Sequence, residues 1–164
     1  MMLKDKIKID SFKVDKMRQS DLKDALKLAV VAQSTFGISN NMSPSEFLKE
    51  ISTKILKNLS YSFVYRAESG KIFAIFIIKP ETSISAEFLL LLSDPNVIQT
   101  KAMYHEFFKI IKELKFKIFF TKVFKKRKKL NSYIKLLNIY GFTEFLNENE
   151  EFFTVYLKTL DTVK

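Results

Sequence analysis

Lys125-Lys126-Arg127-Lys128-Lys129 is the densest group of charged side chains in this sequence. The chemistry open to five consecutive cations is electrostatic: they can hold a phosphate, a nucleic-acid backbone or an acidic protein surface. The run lies between a strand-like segment and a helical one. Its cations therefore stand at a helix N-terminus, where the dipole opposes each by roughly a few tenths of a kcal/mol unless an anion is near. The competing reading is a solvated basic turn. Phe124 is the only aromatic residue immediately beside the run, so the interleaved stacking residues of a nucleic-acid platform are missing. Other reactive types are sparse. His105, beside Glu106, is the single histidine, which excludes a His-rich metal site or a two-histidine relay and reads as a surface or boundary residue. With 0 Cys, disulfides, cysteine-based zinc sites and a cysteine nucleophile are excluded. Ser, Asp and His occur without a nucleophile elbow or a Gly-rich phosphate loop. Phe107-Phe108 and Phe152-Phe153 read as helix and sheet core.

These residues must be positioned by one domain. A length of 164 residues, 47% of them hydrophobic and 28% charged, is enough to bury a core, and 3 Gly and 3 Pro leave few breaks between regular elements. The balance of 28 Lys+Arg against 18 Asp+Glu gives a net charge of +10, which favours anionic partners without naming one. No apolar run approaches the ~20 residues of a spanning helix. The opening Met1-Met2-Leu3-Lys4-Asp5-Lys6 does not read as a signal peptide, so the expected location is cytoplasmic, or a virion if the protein is phage-encoded.

Phe12 and Val14 alternate with Lys13 and Asp15 as in a short strand. Ser20 stands where a cap would, ahead of a helical stripe of Leu22, Ala25, Leu26, Ala29 and Val30. Gln33 to Met42, with Gly37 and Asn40-Asn41, reads as a loop. Ser43-Pro44-Ser45-Glu46 combines a capping box with Pro at the first helical position, ahead of Phe47, Ile51 and Ile55. The period then becomes two: Tyr61 to Ala67, the turn at Ser69-Gly70 and the run Ile72 to Ile78 predict a hairpin. Ile84 to Leu92 is apolar on both faces, as in a central strand, and stops at the turn Asp94-Pro95-Asn96. Met103, Phe107, Ile110 and Leu114 predict a helix, Phe116 to Val123 a strand, and Leu130, Tyr133, Ile134, Leu137 and Tyr140 a helix closed by Gly141. Phe142 to Leu146 and Phe152 to Leu157 predict two last strands around the acidic Asn147 to Glu151. The order β-α-α-β-β-β-α-β-α-β-β predicts an α/β (α+β) domain with a mixed central sheet flanked by helices. It spans residues 1–164, with a core from about Ile9 to Leu160 and flexible ends. The strands of the unit from Ile84 to Val123 should be parallel.

This order resembles the GNAT (Gcn5-related N-acetyltransferase) fold over nearly the whole chain, and four segments carry the resemblance locally. Met17-Arg18-Gln19-Ser20-Asp21-Leu22 resembles the passage from the family's first strand to its first helix. Glu68-Ser69-Gly70-Lys71 resembles the hairpin between its second and third strands. Ala86 to Pro95 is similar to the fourth strand, and Tyr133 to Phe142, closing in Tyr140-Gly141-Phe142, to the late helix with its Gly-Phe ending. The resemblance implies acetyl-CoA or CoA as cofactor. Backbone groups near Leu92 and Ser93 would hold the pantetheine arm, and Gln99, Thr100, Lys101 and Ala102 would receive the phosphates at a helix start.

The family's phosphate loop has the form Gln/Arg-x-x-Gly-x-Gly/Ala. Here Gln99 matches, but the glycine positions hold Ala102 and Tyr104, and a Tyr ring in that cradle would obstruct it. Lys101 supplies charge instead. The family's catalytic Tyr position on the late helix is Leu137, which cannot donate a proton; Tyr140, one turn on, is the candidate acid, against a core reading. Glu87 is the candidate general base for deprotonating an ammonium substrate, against a salt-bridged strand carboxylate. The family's Asn falls on Leu130, with Asn131 adjacent. No metal is expected. These departures imply a GNAT-like module without standard acetyltransferase catalysis, a binding or structural component of a larger assembly or phage particle. The alternative is an acyl-CoA-dependent N-acyltransferase acting on an amine, and a second alternative is a nucleic-acid-binding protein using Lys125 to Lys129.

Overall fold

The two sequence periods become alternating strands and helices in the computed structural model, which describes residues 6–36, 43–127 and 130–158. The chain runs β1 (Phe12–Lys16), α1 (Leu22–Phe36), α2 (Pro44–Lys57), β2 (Ser62–Ala67), β3 (Ile72–Pro80), β4 (Ser85–Ser93), α3 (Lys101–Glu113), β5 (Ile118–Phe124), α4 (Leu130–Ile139), β6 (Glu144–Asn147) and β7 (Phe152–Lys158). This is the expected order. The boundaries differ in four informative places. Ser20 is not the cap of α1: it lies in a 3-10 turn, Gln19–Asp21, and Asp21 closes that turn by accepting the Arg18 amide through Oδ2 at 2.9 Å. Val30 is not part of the buried stripe, being 45% exposed, and Leu28 and Ala32 face the core with Ala25 and Ala29 instead. Gln33 to Phe36 are helical, so the expected loop starts later, and its Gly37, Asn40 and Asn41 lie outside the described residues. Tyr61 belongs to a 3-10 turn, and the strand starts at Ser62.

Among the described residues the sheet has seven strands in the order β1-β2-β3-β4-β5-β7-β6, which puts the doubly apolar β4 at its centre. All neighbours are antiparallel except β4 and β5, which pair in parallel across the α3 crossover. Side chains of period two then feed two cores. On one face Phe76, Phe88, Phe107, Phe119, Phe142 and their neighbours pack under α3 and α4. On the other, Ile75, Ile77, Leu90 and Leu92 pack under α1 and α2. Ala25, Ala29 and Ala32, all fully buried, let the α1 backbone come close to the sheet. Ser43 caps α2 as expected, accepting the Glu46 amide at 3.2 Å. Gly70 and Gly141 have φ of 90° and 89°, left-handed conformations that suit glycine at the β2–β3 turn and after α4.

One ion pair ties the first half together. Arg66 on β2 donates both Nη groups to the Asp21 carboxylate, at 2.9 and 2.8 Å, and Asp21 is only 8% exposed. The bidentate contact holds the Asp21 carboxyl below the usual carboxylate range, with the Arg18 amide adding to the effect and burial opposing it.

Candidate functional site

The site begins where two strands stop pairing. β4 and β5 are in register only from Ser85↔Ile118 to Phe88↔Thr121, and Thr121 Oγ1 closes the last rung by donating to the Phe88 carbonyl at 3.1 Å. Beyond it β4 continues beside β3 as far as Ser93↔Ala74, while β5 continues beside β7 as far as Phe124↔Phe152. The strands therefore part, and the β5-facing edge of Leu89 to Ser93 has no ladder partner among the described residues. The cause is local. On β3 Ile77 faces Leu90 and Ile78 faces Phe88, so Leu89 is an extra residue, a β-bulge that bends β4 away from β5.

A cleft of about 230 Å³ lies on the α3/α4 face beside the unpaired end of β4, lined by Leu92, Ser93, Gln99, Met103, Tyr133 and Tyr140 among others, with no lining residue from β5. Its wall carries a hydrogen-bond chain: Tyr140 Oη donates to Gln99 Oε1 at 3.1 Å, and Gln99 Nε2 donates to Ser93 Oγ at 2.6 Å. Burial, with the Tyr104 phenol nearby, pushes the Tyr140 hydroxyl up to about 12. Tyr65 donates to the Met103 carbonyl at 3.1 Å, and burial pushes its hydroxyl up as well. At the mouth, a bridge between Ile7 and Val97 brings Lys6 to the cleft. On the opposite side the Arg127 guanidinium lies 3.5 Å over the Tyr133 ring. Burial lowers the Arg127 pKa and raises that of Tyr133.

α3 points its N-terminus at this region. Thr100 is its N-cap, accepting the Met103 amide through Oγ1 at 3.3 Å, and helix geometry gives no internal acceptor to the amides of Lys101 and Ala102. Lys101 and Ala102 are exposed. The Tyr104 ring packs at 4.5 Å from Phe108 and 5.1 Å from Tyr140, partly buried against the aromatic core; like Thr100, Lys101 and Ala102, it is not among the residues lining the cleft.

The remaining candidates sit elsewhere. Leu137 is fully buried in the core, whereas Tyr140 reaches the cleft. Asn131 is exposed on α4 and does not line the cleft; its neighbour Ser132 does. Glu87 faces the opposite side of the sheet, across from Lys79 on β3. Burial raises its pKa, partly offset by Lys122, with Glu81 adding to the rise and Lys79 and Lys54 opposing it. The described residues of the basic run have different surroundings. Lys125 donates to Asn147 Oδ1 and the Asn149 carbonyl, Lys126 is exposed, Arg127 turns into the cleft, and Lys128 and Lys129 lie outside the described residues. His105 is exposed, as expected.

No family model and no curated protein sequence matches the chain; solved structures do. A PaiA N-acetyltransferase from Thermoplasma acidophilum, solved in complex with coenzyme A, superposes with a TM-score of 0.71 at 18% identity, over 90% of this chain and 99% of its own. The ribosomal-protein-S18-alanine N-acetyltransferase of Escherichia coli superposes with a TM-score of 0.65 at 15% identity, over 90% and 94%. The fold is GNAT-like. PH1933 from Pyrococcus horikoshii is similar to the same extent, with a TM-score of 0.71 at 11% identity over 91% and 99%.

Within this GNAT-like frame, sequence reasoning placed Leu92, Ser93, Gln99 and Tyr140 where the structure brings them together. It missed Tyr65, Arg127 and Tyr133 as cleft residues. Arg127 carried a signal, since a cation opposed to a helix dipole asks for an anion; the two tyrosines carried none, because they reach the cleft from separate elements.

Proposed function

We propose that the protein is an acyl-CoA-dependent N-acyltransferase acting on an amine. The observation that carries the reading is the cleft beside the unpaired end of β4, with Leu92 and Ser93 in its wall and Gln99 and Met103, on either side of the capped start of α3, beside them. The donor set fits a CoA thioester. The edge of Leu89 to Ser93 offers backbone donors and acceptors to an extended amide-containing arm. The amides of the exposed Lys101 and Ala102 at the start of α3, the Lys101 side chain beside them, and Lys6 and Arg127 in the cleft lining suit phosphates. The Tyr104 ring packs on Phe108 and Tyr140, and Lys101 and Ala102 are exposed, which supports an accessible helix start despite the absent glycines.

Acetyl-CoA bound there would supply an acyl group activated as a thioester. The chain's own part is proton handling from two sides of the sheet. Tyr140 Oη lies on the cleft side and keeps its proton at neutral pH, as a donor to a leaving thiolate must. Glu87 lies on the other side, and its carboxylate can take a proton from an acceptor ammonium. Ser93 and Gln99 hold the Tyr140 hydroxyl in place.

A non-catalytic binding module is the second reading, favoured by Leu137 in the core and by the engagement of Gln99 and Thr100 within the protein. Thiol release separates the two. Incubated with acetyl-CoA and a panel of amines, the enzyme liberates CoA in step with amine acetylation; a protein that binds CoA and never releases thiol above the amine-only background is the module.

A further inference from the structure

A second pocket, about 580 Å³, lies on the Glu87 side of the sheet, between α2, the end of β3 and the middle of β4. Its charged lining is Lys49, Lys54 and Lys57 from α2 and Lys79 from β3, against Glu46 and Glu50. Leu89, the bulge residue that parts β4 from β5, forms part of its wall. The cavity therefore approaches the parting of the strands from the side opposite the cleft. Glu87 does not itself line the pocket, but two of the pocket's residues flank it: Lys79 is its direct cross-strand partner, and Leu89 lies two residues further along β4 on the same face. Ion pairs fix the positions of two of the pocket's lysines: Lys54 Nζ is 2.9 Å from Glu50 Oε1, and Lys79 Nζ is 3.2 Å from Glu81 Oε1. Lys49 and Lys57 leave the lining with an excess of positive charge.

We propose that this pocket selects the acceptor as an amine that also carries a carboxylate, with the carboxylate among Lys49, Lys54, Lys57 and Lys79 and the amino group toward Glu87. The inference rests on the acyltransferase reading and adds a substrate class to it. A carboxylate gains charge-assisted hydrogen bonds from lysines already held in place. A polyamine or a lysine-rich peptide meets like charge there, and specificity arises as much from that repulsion as from the attraction.

The test compares matched acceptors. Alanine, alaninamide and spermidine are offered with acetyl-CoA to the native protein and to the double variant Lys54→Gln/Lys79→Gln, whose melting temperature checks its folding. Native protein prefers alanine over alaninamide by at least about tenfold in kcat/KM, since each 1.4 kcal/mol of differential contact is a factor of ten, and the variant loses most of that preference. Equal use of acid and amide, faster use of spermidine, or an unchanged preference in the variant overturns the proposal. Should no amine be acetylated, the activity reading fails by itself, and binding decides the pocket. N-acetylalanine titrated into isotope-labelled protein shifts the amides of Thr53, Lys79 and Leu89 while N-acetylalaninamide does not; the absence of such shifts, or equal shifts from both, overturns the assignment.

Discussion

Replacing Tyr140 by Phe isolates one hydroxyl. The ring is retained, and with it the packing on Phe107 at 4.9 Å and on Tyr104 at 5.1 Å, so the folding cost reduces to the hydrogen bond to Gln99 Oε1 at 3.1 Å. A neutral, partly buried bond of this kind contributes about 0.5–1.5 kcal/mol. Gln99 keeps its 2.6 Å bond to Ser93, which limits the local rearrangement. If the same hydroxyl is the proton donor to the leaving thiolate, kcat falls by about 100-fold or more, equivalent to at least about 2.7 kcal/mol in the transition state. The catalytic loss thus exceeds the stability loss, and the two are read separately, by thiol release at saturating acetyl-CoA and by urea unfolding. Because burial pushes this phenol up to about 12, the native rate shows no loss attributable to Tyr140 as pH rises from about 6 to 9. A variant within threefold of native kcat refutes the assignment and leaves Tyr140 as a packing group. A higher KM for acetyl-CoA at unchanged kcat would instead mean that the hydroxyl acts by holding Gln99.

Glu87→Gln should lower kcat/KM for the amine and remove the acid limb of its pH profile; in the native enzyme that limb lies above the ordinary glutamate range, because burial raises the Glu87 pKa. A limb that persists in the variant belongs to another group. Asp21→Asn leaves the half-buried Arg66 without its bidentate carboxylate and should cost about 2–3 kcal/mol, less than a fully buried pair because Arg66 is partly exposed, measured by urea unfolding. The Asp21 pKa is depressed in the folded state, so its stabilisation is present above the unfolded value near about 4 and is lost as pH falls through the folded value; the native acid-unfolding midpoint should rise in the variant. Phe88→Ala removes a ring within 5.4 to 6.0 Å of Phe107, Phe119, Phe142 and Phe76 and should cost about 3–5 kcal/mol, read as a shift in the urea midpoint.

Periodicity carried most of the architecture. The capping signature at Ser43-Pro44-Ser45-Glu46 placed α2 to the residue, and the doubly apolar run of β4 announced its place at the sheet centre. The parallel pairing with β5 followed from the intervening helix. What was illegible depends on tertiary packing. The bulge at Leu89 lies in a run of leucines with no glycine or turn residue to mark it, yet β4 and β5 stop pairing next to it. The direction of the Tyr104 ring was illegible too, because sequence position fixes which residue stands near the helix start and its packing against Phe108 and Tyr140 comes from the tertiary fold. Ser20 read as the cap of α1 from its local position, whereas Asp21 closes the turn there, and the Arg66 that binds its carboxylate comes from forty-five residues away in sequence. Glu87 was legible as a carboxylate in an apolar strand, while its neighbours Lys79, Lys54 and Lys122 come from three different elements.

Calorimetric titration of the native protein with acetyl-CoA and with CoA tests most directly whether the cleft beside the unpaired end of β4 is a thioester site. Two phosphate-bearing contacts at a helix start and an extended arm along β4 predict one site per chain with a Kd at or below about 100 μM, near −5.5 kcal/mol or stronger, and a clear favourable heat. No heat with either ligand up to millimolar concentration contradicts the account, whatever the fold resembles.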